Sequence, residues 1–203
     1  VDIDCLLLAA GSSSRVGEPK LLLTIGGRTL LEVALENHLL SGVKRICAVV
    51  PGWIEGFEAM ARKHRSERVD FLSLPEEGEM SASLRAGWKH IAGLWGPEAV
   101  MVSLADMPLV TAEIIDTLMG RFAGAGCAIG VPVYAGTKGH PVILSAELGD
   151  EVENLTGDRG ARSIVEARED RVLEVPVHSD AVLIDVDTAA DLDEVKRRLG
   201  DIG

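Results

Sequence analysis

Short aliphatic and β-branched runs alternate with longer stretches whose apolar residues recur at helical spacing, and this alternation restricts the possible folds more than any other feature. Runs at 5–10, 45–50, 69–74, 99–104, 127–133 and 181–186 read as buried or half-buried strands. Ile114, Ile115, Leu118, Met119 and Phe122 mark one face of a helix, and Leu192, Val195 and Leu199 mark another near the C-terminus. Thr29 with Glu32, and Thr188 with Asp191, have the spacing of capping boxes that open helices. Strands separated by helices pair most readily in parallel, since the helix carries the chain back across a face of the sheet. The pattern predicts an α/β chain with one domain over 1–203: a Rossmann-like open sheet, mostly parallel, with helices on both faces.

The bulk properties narrow the function classes. A chain of 203 residues suits one domain with a full core. Its 47% hydrophobic and 26% charged residues exclude disordered and disulfide-scaffold classes. A formal net charge of −12 opposes a continuous basic stripe, so nucleic acid is not an expected partner and any phosphate must be held locally. Cys5, Cys47 and Cys127 lie far apart without metal-ligand spacing, which fits a reducing, cytoplasmic setting. No apolar stretch is long enough to span a bilayer, and no basic region precedes the run at 5–10, so neither a membrane nor export is expected.

Open parallel sheets bind ligands beyond the carboxyl ends of their strands, which directs attention to the residues following each run. After the first comes Gly11-Ser12-Ser13-Ser14-Arg15-Val16-Gly17-Glu18-Pro19-Lys20. Small residues there let backbone N–H groups approach an anion, Arg15 offers a fork to phosphate oxygens and Lys20 a point charge. The spacing is neither that of a Walker A loop nor Gly-x-Gly-x-x-Gly. Asp106 follows the run at 99–104 and is either a hard oxygen ligand suited to Mg²⁺ or a turn residue ahead of Pro108. Asp185 and Asp187, two apart, share a face if their strand persists, while Asp187 is equally placed to cap the last helix. Arg159 and Arg162 share a helical face near a helix start and either receive an anionic group or stand as solvated arginines beside a capping Asp158. His140 follows Gly139 in the interruption at 136–141 and either faces a ligand or is structural. No convincing Ser/His/Asp set is present.

The blocks Leu8-Ala9-Ala10-Gly11 and Arg15-x-Gly17-x-x-Lys20, then Glu79-Met80-Ser81-Ala82-Ser83-Leu84, Asp106-Met107-Pro108, Gly139-His140-Pro141-Val142, Gly157-Asp158-Arg159-Gly160-Ala161-Arg162 and Asp185-Val186-Asp187-Thr188, together resemble the nucleotidyltransferases related to the molybdenum-cofactor cytidylyl- and guanylyltransferases. The resemblance covers nearly the whole chain. It implies the nucleotide-diphospho-sugar transferase-like fold, and a nucleotide site made by Leu8, Ala9, Ala10, Gly11, Arg15, Gly17 and Lys20, with Ser83 and Ser81 beside the base, Ser81 being equally placed to cap a helix. It further implies Mg²⁺ on Asp106 and catalytic roles for Arg15, Lys20 and Asp106, with Asp185 and Asp187 as the further candidate metal ligands. His140, Arg159 and Arg162 are the candidate acceptor-binding residues, and the short run at 142–144, after the interruption at 136–141, reads as a sheet extension over that site. Leu-Ala-Ala-Gly and the paired aspartates lean toward CTP over GTP, since guanylyl-transferring relatives favour Leu-Ala-Gly-Gly and often Asn. The implied reaction moves CMP from the NTP to a phosphorylated small acceptor, molybdopterin first, with release of pyrophosphate. A client molybdoenzyme or insertion chaperone is the protein partner it allows. A sugar phosphate, methylerythritol phosphate or phospholactate acceptor stays open, as does a non-catalytic nucleotide-binding regulatory module.

Overall fold

Five of the six expected strand runs form strands of one sheet in a computed structural model that describes residues 1–9, 19–76 and 78–200. In chain order the elements are β1 (Ile3–Leu8), β2 (Thr24–Ile25), β3 (Arg28–Thr29), α1 (Leu30–Leu39), β4 (Ile46–Pro51), α2 (Phe57–His64), β5 (Val69–Leu74), α3 (Met80–Leu94) and β6 (Ala99–Leu104). They continue as α4 (Ala112–Ala123), β7 (Ile129–Tyr134), β8 (Thr137–Lys138), β9 (Val142–Ser145), α5 (Gly149–Glu153), α6 (Ala161–Ala167), β10 (Val172–Pro176) and α7 (Ala189–Leu199). The strand order is β10-β7-β9-β6-β1-β4-β5, with β8 bonded to β7 and β2-β3 forming a separate hairpin. Along that path only β9 runs antiparallel, to both β6 and β7.

The alternation of side chains along β1 divides the core in two, because successive residues of a strand point to opposite faces. Cys5 and Leu7 join α1, α2, α4 and α7 on one face, where Leu35, Phe57, Ile115 and Val195 are buried. Leu6 and Leu8 join α3, α5 and α6 on the other, against Leu84, Trp88, Val152 and Ile164. Both capping boxes form. Thr29 Oγ1 accepts from Glu32 N at 3.1 Å while Glu32 Oε2 accepts from Thr29 N at 2.9 Å. Thr188 and Asp191 repeat the exchange at 3.2 and 2.7 Å at the head of α7. The three cysteines are free thiols, and burial pushes Cys5 and Cys47 up to about 12, which suits packing rather than nucleophilic chemistry. No helix among the described residues is long and apolar enough to cross a membrane.

Two expectations are corrected. Residues 181–186 do not form a strand: Ser179 Oγ accepts from Ala181 N and starts a 3₁₀ turn, Asp180–Leu183, that buries Ala181 and Val182 but exposes Leu183. The last strand is instead β10, parallel to β7 at the sheet edge. A charged stretch just before it and Glu174 within it hide its apolar signal, and an edge position tolerates the terminal Pro176. Residues 142–144 belong to β9, which lies between β6 and β7 inside the sheet rather than over a ligand site. Its burial on both sides explains its unbroken apolar run.

Candidate active site

The parallel strands deliver their carboxyl ends to one rim, and the connections leaving that rim are tied by backbone bonds. Ala9 N donates to Val49 O at 2.8 Å and Ala105 N to Leu8 O at 3.0 Å, so the segments after β1, β4 and β6 leave side by side. Val186 N donates to Asp106 O at 2.9 Å. That bond lays residues 185–187 against the turn after β6, although about eighty residues of chain separate them. Asp185 and Asp187 thus reach Asp106 without the strand expected to carry them. Ligand oxygens of Asp106, Asp185 and Asp187 lie within 4.8 Å of one another.

Lys20, in the 3₁₀ turn Lys20–Leu22, enters this cluster. Its Nζ donates to Asp106 Oδ2 at 2.7 Å and to Asp187 Oδ1 at 2.8 Å. Burial acts to lower the ammonium's pKa, but the Asp106 and Asp187 carboxylates outweigh it and the net shift is upward, so Lys20 is a fixed positive charge. Asp185 is pushed up from the usual carboxylate range, by burial and then by the Asp106 and Asp187 charges. Asp106 Oδ1 is buried and has no hydrogen-bond partner among the described residues. Clustered carboxylates with a spare inward oxygen fit a hard divalent cation, which takes oxygen ligands and keeps waters or substrate oxygens in its other positions. Asp187 does not cap α7 with its side chain. Asp191 Oδ2 accepts from the Asp187 and Thr188 backbone N–H groups, leaving the Asp187 carboxylate to Lys20.

Around the cluster, Leu8, Ala9, Lys20, Leu21, Met80, Ser83, Leu104 and Asp106 line a cleft between β1, β6 and the start of α3. Ser83 shares this cleft with Leu8, Ala9 and Lys20. Ser81 is fully buried, and its hydroxyl points to Glu79 Oε2 at 3.5 Å rather than into the cleft. Ala10, Gly11, Arg15 and Gly17 lie outside the described residues. The His140 ring lies close enough to Asp106 and Arg162 to feel their charges; burial holds its pKa low, it is bonded to the Val102 backbone, and Nδ1 is buried without a partner among the described residues. Its own N–H donates to Val182 O at 2.9 Å.

Arg159 and Arg162 do not share a helical face. Arg159 precedes α6 and both arginines contact Glu166, with side chains 59% and 73% exposed. Asp158 does not cap α6; its Oδ1 accepts from Met80 N at 3.2 Å, while Glu79 Oε2 accepts from Gly157 N at 2.7 Å. This reciprocal clasp holds the block 157–162 against the head of α3. Gly160 lies in this clasp at φ +49°, a backbone conformation that favours glycine, with Met80 Sδ 2.8 Å from where a Cβ would sit. Leu21, Met80 and Leu104 are cleft residues that spacing alone does not reveal, since aliphatic side chains at element ends read as ordinary core.

The model of the MobA-like NTP transferase domain matches residues 5–172. Nicotine blue oxidoreductase of Paenarthrobacter nicotinovorans is 29% identical over 171 residues, covering 79% of this chain and 81% of that protein. Molybdenum cofactor cytidylyltransferase of Escherichia coli is 26% identical over 205 residues, covering 98% of each. Among solved structures, Rv0371C of Mycobacterium tuberculosis in complex with manganese superposes with a TM-score of 0.78 at 25% identity, over 97% of this chain and 99% of that one. The chain belongs to the MobA-like NTP transferase family and is a nucleotidyltransferase of that type.

Proposed function

We propose that this protein transfers CMP from CTP to a phosphorylated small acceptor of the molybdopterin class, with Mg²⁺ as its metal and GTP as the poorer donor. The observation that carries the reading is the convergence of Asp106, Asp185 and Asp187 with Lys20 at the carboxyl rim of the sheet, beside a cleft lined by Leu8, Ala9 and Ser83. Asp106 and Asp185 would hold the metal with Asp187 beside them, and the bound ion supplies charge neutralisation and a template for phosphate oxygens.

The chain's own groups do the rest by position and charge. An acceptor phosphate monoester is ionised near neutrality, its second pKa being about 6, so it attacks the α-phosphorus without a general base. The new P–O bond forms as the bond to the β-phosphate oxygen breaks, and pyrophosphate leaves with the electron pair. Lys20 and Arg15 neutralise charge on the reacting and departing phosphates, a stabilisation that tightens as charge develops. Ala10, where a glycine would leave more room for a purine, and the Asp185–Asp187 pair support cytosine; one methyl group discriminates by only about 1–3 kcal/mol. His140 lies beside Asp106 and suits the acceptor side. Arg159 and Arg162 serve an acceptor phosphate only by leaving Glu166.

Pyrophosphate release tests the reading. CTP with Mg²⁺ and molybdopterin is expected to give the fastest release, against GTP and against a sugar phosphate, methylerythritol phosphate and phospholactate. Faster release with another acceptor replaces the acceptor assignment, faster release with GTP replaces the base assignment, and no release with any pair supports a nucleotide-binding regulatory module.

A further inference from the structure

We infer that Lys20 is a resident counter-ion that resists a free divalent cation at the aspartate cluster and yields to one arriving with the nucleotide, coupling metal binding to nucleotide binding. The inference rests on the nucleotidyl-transfer reading above, which places phosphates beside this loop.

The ammonium lies among the groups a metal would use. It donates to Asp106 at 2.7 Å and to Asp187 at 2.8 Å, and its side chain is only 12% exposed. Ligand oxygens of the three aspartates span no more than 4.8 Å, so a divalent cation and the ammonium inside the same cluster repel at short range. Carboxylate oxygens of the cluster remain outside the ammonium's grip. Asp106 Oδ1 has no partner, and Asp185 makes no ion pair among the described residues. A metal can therefore begin on Asp106 and Asp185, but closing on all three carboxylates brings it against the ammonium, whose charge repels it until the lysine moves. Lysine is suited to that exchange, being a compact charge on a flexible four-carbon stem. Lys20 directly follows the loop assigned to the triphosphate, so bound phosphates offer the ammonium new anionic partners as it leaves the carboxylates. Each ligand then raises the affinity for the other, and the coupling is reciprocal by linkage.

Lys20 has opposite effects on two ligands under this scheme, and Mn²⁺ monitored by electron paramagnetic resonance separates them. Mn²⁺ alone should bind Lys20→Met at least about tenfold more tightly than wild type, within the range of about 5–150-fold usual for coupled sites. Mn²⁺·CTP should bind the same variant more weakly, because the phosphate contact is lost. Lys20→Arg, which keeps the charge, should hold free Mn²⁺ as weakly as wild type, and Lys20→Gln serves in place of the methionine variant should that one not fold. Free Mn²⁺ binding no tighter to the uncharged variant, or as tightly to Lys20→Arg as to Lys20→Met, overturns the inference. Wild-type protein that binds neither Mn²⁺·CTP nor Mn²⁺·GTP counts instead against the nucleotidyl-transfer reading, which keeps the two failures apart.

Discussion

Asp106 is the one aspartate of the cluster that both pairs with Lys20 and keeps a buried oxygen without a partner, which makes it the residue least replaceable by an amide. Asp106→Asn retains shape but removes the charge that holds a hard cation, and it should lower turnover by at least about 100-fold while the protein still folds. Pyrophosphate release across a range of Mg²⁺ concentrations checks this, and a fully active variant would overturn the assignment. Asp185 is placed differently: it lies at the open side of the cluster, and its carboxyl is raised by partial desolvation and then by the Asp106 and Asp187 charges. Removing its charge relieves that repulsion, so Asp185→Asn should reduce turnover less than Asp106→Asn and raise the melting temperature by at most about 2 °C, the scale expected of a solvent-screened charge. A lower melting temperature for Asp185→Asn would show that the carboxylate stabilises the fold.

At the scale of elements, two connections carry the site. Gly139 is packed so closely on the Asp180–Leu183 turn that an added Cβ would lie 2.2 Å from Val182 O and 2.9 Å from Val182 Cβ. Backbone cannot swing aside as a flexible side-chain tip can, so Gly139→Ala should cost about 1–3 kcal/mol and also lower turnover by displacing His140 and residues 185–187. Denaturation and turnover measured together test this, and a stable variant with normal turnover would show that the contact is dispensable. The second connection ties α1 to β6: His38 Nδ1 lies 2.7 Å from Ala34 O and Nε2 lies 2.8 Å from Ser103 Oγ. Burial lowers His38 to about 4 against a weaker opposing effect of the Ala34 carbonyl, so the folded protein keeps a neutral ring donating from Nδ1 and accepting from Ser103 at Nε2. The folded pKa lies below the unfolded value of about 6.5, so the unfolded chain binds the extra proton first. Stability from this group is complete above about pH 6.5 and falls by roughly 3 kcal/mol as pH drops toward 4. Glu32 acts in a lower window. Burial raises it, but hydrogen bonds from Lys63, Thr29 and His64 prevail and hold it at about 2. Its share is lost only below about pH 4.5. Urea unfolding between pH 7.5 and 4.5 should therefore show a steeper decline for wild type than for His38→Gln, and equal slopes would remove His38 as the cause.

For the molecule as a whole, the open sheet places the carboxyl ends of its parallel strands on one rim, and stability and ligand binding are coupled through that rim. Mg²⁺ with CTP at about 100 times its dissociation constant should add about 2.7 kcal/mol, a rise in melting temperature of roughly 5–10 °C for a domain of this size. Mg²⁺ with GTP at the same concentration should add less, and an equal or larger shift with GTP would end the cytosine assignment. Much of this architecture is legible in the order of residues. Short apolar runs such as 99–104, capping pairs such as Thr29–Glu32 and Thr188–Asp191, and a glycine-rich loop ending in Lys20 are local signals, set by side-chain patterning and by hydrogen bonds a few residues long. The same signals mark Asp106 as following a buried strand. They misplace the last strand, because the apolar run at 181–186 and the weaker one at 172–176 differ in which finds an open sheet edge, and pairing partners decide that. Spacing also leaves the roles of Asp187, Asp158 and the arginines undecided. Asp187 meets Lys20 across 167 positions, Asp158 caps a helix 78 positions away, and Arg159 and Arg162 are held by Glu166. Sequence by itself determined five of the strands, the two capped helices and the residue types at their ends. Only the tertiary structure decided which charges meet, because Coulomb and hydrogen-bond partners are chosen by distance in space, and the chain that separates them carries no record of it.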